Sequence, residues 1–306
     1  GGTTAKADLA KAQCVAAVAA APEAEKDKPL FHMDFCIVRK LGRGSFGFVY
    51  AAKRSRSPTD PEVAVKVLPW GHPEDPTAED VVLREVASLR AIPPSRNVVR
   101  FLGFYTGETL AYIVMEKCAV TFVKVLKRMT NITEWTFQSF FEDMLAGVAA
   151  CHAAGIVHRD VKPGNFLVAG GTSSRITLKL CDFGFAAHDR GEGFNDRLGS
   201  PDTVAPEVVA GTRYSFPADL WSCGTVVYMM LSATPPFYAN TDQDVLRKVR
   251  AGNYSLSGAL WDSISAPPKH IITSLMTVDA KLRPTASEAL KKAWLKDVPE
   301  TNGRKG

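Results

Sequence analysis

Six residues, Gly42-Arg43-Gly44-Ser45-Phe46-Gly47, constrain the fold of this chain more than any others. The G-x-G-x-x-G spacing serves sites where backbone must come close to a phosphate, because residues without Cβ let N–H groups approach. Two kinds of architecture use it. A dinucleotide-binding crossover needs a helix straight after the glycines, whereas here Phe48-Val49-Tyr50-Ala51 follows, apolar and β-prone. The run is therefore expected to form a hairpin tip whose glycine backbone can close over phosphates, with Leu41, Gly42, Gly44, Ser45 and Gly47 as candidate cofactor-binding residues. Taken alone, it fits a plain glycine-rich turn as well.

The next strand tests that choice. Residues 63–68 read Val-Ala-Val-Lys-Val-Leu, and a period of two puts Ala64 and Lys66 on one face and the valines on the other. A strand this apolar rarely carries a lysine without a partner, since an unpaired buried ammonium is costly. Glu85 is the natural counter-ion, on a helix expected over 79–90 where Val82, Val86 and Leu89 recur at helical spacing. The alternative is a solvated edge lysine.

Coarse patterning gives two regions. Residues 35–68 are strand-like, with a Ser/Pro-rich loop over 55–61, and a further strand pair is expected at 98–104 and 110–115. Beyond that the texture is helical. Residues 135–152 place Phe137, Phe140, Phe141, Met144, Leu145, Val148 and Cys151 on one face, with Thr133 as N-cap and Gly155 just past the end. A strand-rich front and a helix-rich back, joined near 116–119, imply two lobes with a cleft between them.

Composition removes other classes. The 306 residues carry a formal charge of +5, dispersed apart from a mild cluster in the tail, so no basic patch marks a nucleic-acid binder. The longest apolar stretch, 220–231, is too short to span a bilayer and reads as a buried core helix. Six scattered cysteines show neither zinc-ligand spacing nor a disulfide framework; they are expected as small buried hydrophobes in a reducing compartment, cytosol or nucleus. The opening Ala-rich segment, residues 5–21, stops at Pro22, and since Gly1 is not an initiator Met no targeting signal is inferred.

The densest motifs come last: Val157-His158-Arg159-Asp160-Val161-Lys162-Pro163-Gly164-Asn165-Phe166-Leu167, then Cys181-Asp182-Phe183-Gly184, then Ala205-Pro206-Glu207. With the glycine loop, strand lysine and helix glutamate they stand in one order, and in that order the chain resembles the protein kinase superfamily. Lys162, two residues after Asp160, matches the serine/threonine type. The resemblance covers about 35–296: an α+β, two-lobed fold with a small antiparallel N-lobe sheet and one helix (35–115), a hinge (116–119) and a mainly helical C-lobe (120–296). Residues 1–34 and 297–306 are left as an N-terminal extension and a tail.

The resemblance implies ATP and Mg²⁺ as cofactors and protein substrates as partners. It makes Asp160 the group that accepts or orients the hydroxyl proton, Asn165 and Asp182 the magnesium ligands, and Lys162 the group that steadies the migrating phosphoryl. Lys66 holds the α/β-phosphates and Glu85 fixes Lys66. Val49, Ala64 and Leu167 line the adenine pocket, Met115 is the gatekeeper, and the backbones of Glu116 and Cys118 form the hinge contacts. Leu89, Phe101, His158 and Phe183 form an internal apolar stack, Asp219 anchors the His-Arg-Asp segment, and Glu207 pairs with Arg283.

Within the superfamily, the phrases Trp221-Ser222-Cys223-Gly224 and Pro235-Pro236-Phe237 are most like the calcium/calmodulin-regulated and calcium-dependent group. No D-x-[DN]-x-[DN]-G loop follows the domain, so calcium sensing needs a regulatory partner or further segments. Arg159 usually implies an activation loop ordered by phosphate, yet residues 185–198 hold no Ser, Thr or Tyr. One of Asp189, Glu192 and Asp196 is expected to pair with Arg159 instead. Three departures bear on substrate: Gly164 stands where basophilic relatives carry Glu, residues 119–122 lack an acidic residue, and Asp202 and Thr203 replace an aromatic pair, although Ser200 keeps a hydroxyl. Phe185 resembles kinases that favour Ser over Thr. The competing reading is a pseudokinase, a nucleotide-binding scaffold; intact Lys66, Asp160, Asn165 and Asp182 argue against it.

Overall fold

The computed structural model describes residues 30–57, 59–71, 77–129, 134–169 and 176–291. The expectations for the Ala-rich segment, the Thr133 N-cap and the tail after 296 lie outside these residues. The chain divides into two compact units: the described residues up to Arg90 with Phe101–Lys117, and Ala91–Arg100 with those from Cys118 onward.

The first unit is built on five antiparallel strands, β1 (Phe35–Arg43), β2 (Phe48–Arg54), β3 (Val63–Pro69), β4 (Phe101–Thr106) and β5 (Leu110–Glu116), in the order β1-β2-β3-β5-β4. The alternation in β3 sets its two faces. Val63 and Val65 pack with Phe31, Phe35, Ala52, Tyr112 and Val114 in one buried cluster, with Val67 against it. Phe31 comes from a four-residue helical turn, α1 (Phe31–Asp34), and stacks on Tyr112 at 4.3 Å between ring centroids. Removing these rings and valines from water drives the sheet's closure on that side. The opposite face carries Ala64 and Lys66, and beyond it in sequence lies α2 (Thr77–Ala91), which buries Val82, Glu85, Val86 and Leu89.

One expected strand starts late. Val98 does not extend β4: it bridges to Leu180, the Val99 N–H donates to the Leu180 carbonyl at 2.9 Å, and the Leu180 N–H donates to the Asn97 carbonyl at 2.8 Å. An apolar β-prone run does not name its partner strand, and here the first residues of the run are claimed by the second unit.

In the second unit, β6 (Val120–Thr121), β8 (Phe166–Ala169) and β9 (Thr177–Leu180) form a small sheet, and β7 (Ile156–Val157) pairs with β10 (Ala187–His188). Around them stand α3 (Phe122–Leu126), α4 (Glu134–Ala153), α5 (Pro206–Ala210), α6 (Pro217–Ser232), α7 (Asp242–Ala251), α8 (Ala259–Ser263), α9 (Ala266–Leu275) and α10 (Ala286–Leu290). The stripe expected on α4 is buried from Phe137 to Cys151, and Gly155 follows with φ of 73°. Helix α6 is buried nearly all round, as its apolar run requires. No helix among the described residues is long and apolar enough to cross a membrane. Of the five described cysteines, none of which is in a disulfide, Cys151 and Cys223 are buried as expected, but Cys36 is exposed on β1 and Cys118 and Cys181 are half-buried.

Candidate active site

In the first unit the site residues share one sheet face by register. Val49 lies opposite Lys66, and Ala64 opposite Met115, so Val49, Ala64, Lys66 and Met115 point to the same side of the sheet. Gly42 pairs with Val49, and the glycine run turns back on itself through a Gly44 N–H to Gly47 carbonyl bond of 2.9 Å. Gly47 admits no side chain, because a Cβ there would sit 2.2 Å from the Val67 carbonyl oxygen. Leu41, Ser45 and Glu116 belong to this unit as well, Leu41 and Ser45 exposed and Glu116 half-buried. The run is thus a hairpin tip between two strands rather than a strand-to-helix turn.

Lys66 is no solvated edge residue. Its Nζ donates to both Glu85 carboxylate oxygens, at 2.7 and 2.8 Å, with the two side chains 3% and 1% exposed. Desolvating two charges together is tolerable only with such geometry, and removing either partner strands the other.

In the second unit the His-Arg-Asp segment hangs from a buried carboxylate. Asp219, in the first turn of α6, accepts the His158 N–H at 2.8 Å on Oδ2 and the Arg159 N–H at 2.9 Å on Oδ1. His152 Nε2 lies 2.9 Å from Oδ2. Burial pushes the Asp219 carboxyl up, but the hydrogen bond and charge of His152, then His158 and its N–H, outweigh it and hold the group below the usual carboxylate value. Arg159 adopts φ of 65°, a conformation disfavoured for residues with a Cβ, and the capture of the His158 and Arg159 N–H groups by Asp219 holds it there.

That turn delivers Asp160, 2% exposed, into a dense polar cluster. Its Oδ2 receives Lys162 Nζ at 2.7 Å and Asn165 Nδ2 at 2.9 Å; its Oδ1 accepts the Ser200 hydroxyl at 3.0 Å. Lys162 Nζ also donates to Ser200 Oγ at 3.0 Å, and Asn165 Nδ2 to the Asp160 carbonyl at 2.8 Å. A carboxylate has about four acceptor positions. With three used, Asp160 retains one. The Asn165 amide nitrogen is doubly engaged, which turns its Oδ1 into the acceptor side. Oxygen donors of this kind, Asn165 Oδ1 and the Asp182 carboxylate, suit a hard divalent cation.

Asp182 is joined to the same segment through its neighbour, as the Cys181 N–H donates to the Asn165 carbonyl at 2.9 Å, and it too has a positive φ, 61°. Phe183 is buried and meets His158 edge to face at 5.0 Å, while His158 Nε2 bonds the Cys181 carbonyl at 3.1 Å. Of the expected apolar stack, His158 and Phe183 are therefore joined here, and Leu89 and Phe101 lie in the first unit. Leu167 and Cys118 belong to the second unit, half-buried.

Two supports lie further off. Arg283 clasps Glu207 at 2.7 and 2.8 Å and also donates to the carbonyls of Pro217, Thr277 and Val278. Arg159 Nη1 reaches Asp196 at 3.1 Å, its Nε donates to the Phe185 carbonyl at 2.5 Å, and its guanidinium lies 4.5 Å from the Phe194 ring centroid. Asp196 is thus the expected loop carboxylate. Asp189 instead accepts the Gly191 and Gly193 N–H groups and the Ser215 hydroxyl. The sequence reading left out His152 and the double contact of Ser200; the Ser/Thr-type loop position marked the latter, and nothing local marked the former.

Comparison with known proteins gives one family and several similar proteins. The Protein kinase domain family matches residues 35–295. The chain is 35% identical over 271 residues to a CDPK-related protein kinase of Daucus carota, covering 87% of this chain and 45% of that protein. It is 37% identical over 264 residues to CDPK-related kinase 5 of Arabidopsis thaliana, covering 84% and 43%. It is 35% identical over 267 residues to calcium/calmodulin-dependent serine/threonine-protein kinase 1 of Oryza sativa subsp. japonica, covering 86% and 44%. The chain spans less than half the length of these relatives.

Proposed function

Because the chain belongs to the protein kinase domain family, we propose that it is an active protein serine/threonine kinase, moving the γ-phosphoryl group of ATP to a hydroxyl of a protein substrate. The observation that carries this reading is the Asp160 cluster, in which Lys162, Asn165 and Ser200 orient one buried carboxylate and leave it one acceptor position.

Phosphoryl transfer asks mainly for positioning and charge neutralisation. Asp160 orients the substrate hydroxyl and takes its proton as the new oxygen–phosphorus bond forms and the bond from the γ-phosphorus to the β,γ-bridging oxygen breaks, releasing ADP. Lys162, bonded to Asp160 and Ser200, carries a positive charge to the same point and neutralises the phosphoryl oxygens in flight. In the first unit Lys66, positioned by Glu85, takes the α/β-phosphates, and Val49, Ala64, Met115 and the backbone of Glu116 are assigned to the adenine; in the second unit Leu167 and the backbone of Cys118 carry the same assignment. Asn165 Oδ1 and Asp182 would hold Mg²⁺, which when bound neutralises phosphate charge and fixes the triphosphate.

The names of the relatives favour calcium-linked control, supplied to this chain by a partner or by further sequence. An intracellular setting belongs to the same reading. The deciding experiment incubates purified protein with labelled ATP, Mg²⁺ and a generic protein substrate, beside Asp160→Asn and Lys66→Met. Transfer by the wild type that both variants lose is the expected result; ATP binding with no transfer by the wild type makes the protein a scaffold.

A further inference from the structure

We infer that the surface beside Ser200 reads acidic side chains of the protein substrate, through the guanidinium groups of Arg197 and Arg250; this deepens the kinase reading and rests on it. Arg197 stands three residues before Ser200, is exposed, and makes no hydrogen bond or ion pair among the described residues. Its guanidinium lies on Gly211, where an added Cβ would come within 2.8 Å of Nη2 and 3.2 Å of Nε. Arg250, exposed near the end of α7, donates from Nη2 to the Val209 carbonyl at 2.8 Å. Val209 and Gly211 are two residues apart at the end of α5, so both cations gather at one place.

Three carboxylates of these segments are committed elsewhere. Asp196 is bonded to Arg159, Glu207 to Arg283 and Asp160 to Lys162. Asp202, exposed in the same loop, opposes the patch by one charge. Gly164 and residues Ala119, Val120, Thr121 and Phe122 add no carboxylate. Because Ser200 Oγ sits 3.0 Å from Asp160 Oδ1, an acceptor hydroxyl reaching Asp160 is beside Ser200. Arg197 is at most three extended residues away, about 10 Å, so the anion it meets lies within about three residues of the acceptor. Arg matches a carboxylate bidentately, which gives the preference geometry as well as charge.

The test is a panel of serine peptides with Asp, Glu, Ala, Lys or Arg at each of three positions on either side of the acceptor. The wild type should use acid-flanked peptides with kcat/KM about three- to tenfold above basic-flanked ones at low salt, the yield of two exposed ion pairs, and lose the difference as salt rises. Arg197→Ala should bring the ratio towards one, and Arg197→Glu should invert it. A basic preference in the wild type, or an acid preference untouched by Arg197→Ala, overturns the inference. Anisotropy of a labelled acid-flanked peptide is read in parallel. If no peptide in the panel is phosphorylated, the kinase reading fails, while binding weakened by Arg197→Ala still supports the surface and binding that is absent or unchanged refutes it.

Discussion

Asp196 places Oδ2 3.1 Å from Nη1 of Arg159 and so ties the loop to the segment that carries Asp160. Residues 185–198 have no hydroxyl to phosphorylate, and the loop is held by this pair together with the Phe185 carbonyl and the Phe194 ring. Protein made without any upstream kinase should therefore be active. Asp196 is about half exposed, its side chain 53% accessible, so its share is modest: Asp196→Ala should lower kcat/KM about two- to fivefold, the range of an exposed pair. Dependence on phosphorylation for all activity would remove the idea.

The Lys66–Glu85 pair makes a standard test ambiguous. Lys66→Met leaves Glu85 buried and unpaired, and breaking such a pair destabilises by about 3–5 kcal/mol. Loss of transfer in that variant can come from unfolding as much as from lost phosphate contact. The double variant Lys66→Met/Glu85→Leu should recover most of the thermal stability and still transfer nothing. If the double variant melts as low as the single one, the pair does not govern the stability of the first unit; if it transfers phosphate, Lys66 has no role with ATP.

The two ends of the glycine run should respond differently. Gly47→Ala meets the Val67 carbonyl oxygen at 2.2 Å, while a Cβ on Gly42 meets nothing within 4 Å. The first should lower stability by about 1–3 kcal/mol, as overpacking does, and the second by less than about 0.5 kcal/mol. Thermal melting of both variants decides it; equal losses would mean that the hairpin yields where the structure shows contact.

Local patterns were legible where the cause was local. The alternation at 63–68 foretold both faces of β3 and the need for Glu85, and the apolar spacing at 137–151 foretold the buried stripe of α4. Motif order supplied Asp219 under His158 and the Glu207–Arg283 clasp. What escaped depended on partners far along the chain. Val98 and Val99 read as the start of β4 because nothing in their own side chains selects Leu180. His152 looked like the last polar residue of a helix, and its partner Asp219 lies 67 residues on. Phe31 gave no signal of stacking on Tyr112, since the period of the intervening strands had to be folded first. Ser200 was visible as a hydroxyl, but its bonds to both Asp160 and Lys162 follow from loop geometry.

Asp219 gives the site an acid limit. Its carboxyl titrates below the ordinary value of 3.8 despite complete burial, so folding favours its charged form. A depressed carboxyl contributes stability that is fully present above the unfolded value and lost as pH falls through the folded one. Asp189, also depressed against its burial by the Ser215 hydroxyl and the Gly193 and Gly191 N–H groups, adds in the same direction. Urea unfolding of the wild type should therefore be flat from about pH 6 to 5 and weaken below about pH 4. Asp219→Asn removes the charge that takes up the proton while keeping an oxygen for one of the two N–H groups. That variant should be less stable at pH 6 and lose less on acidification, so the two curves converge. Parallel curves would mean that Asp219 does not carry its charge into the folded state, and the suspension of His158 and Arg159 from it would need another account.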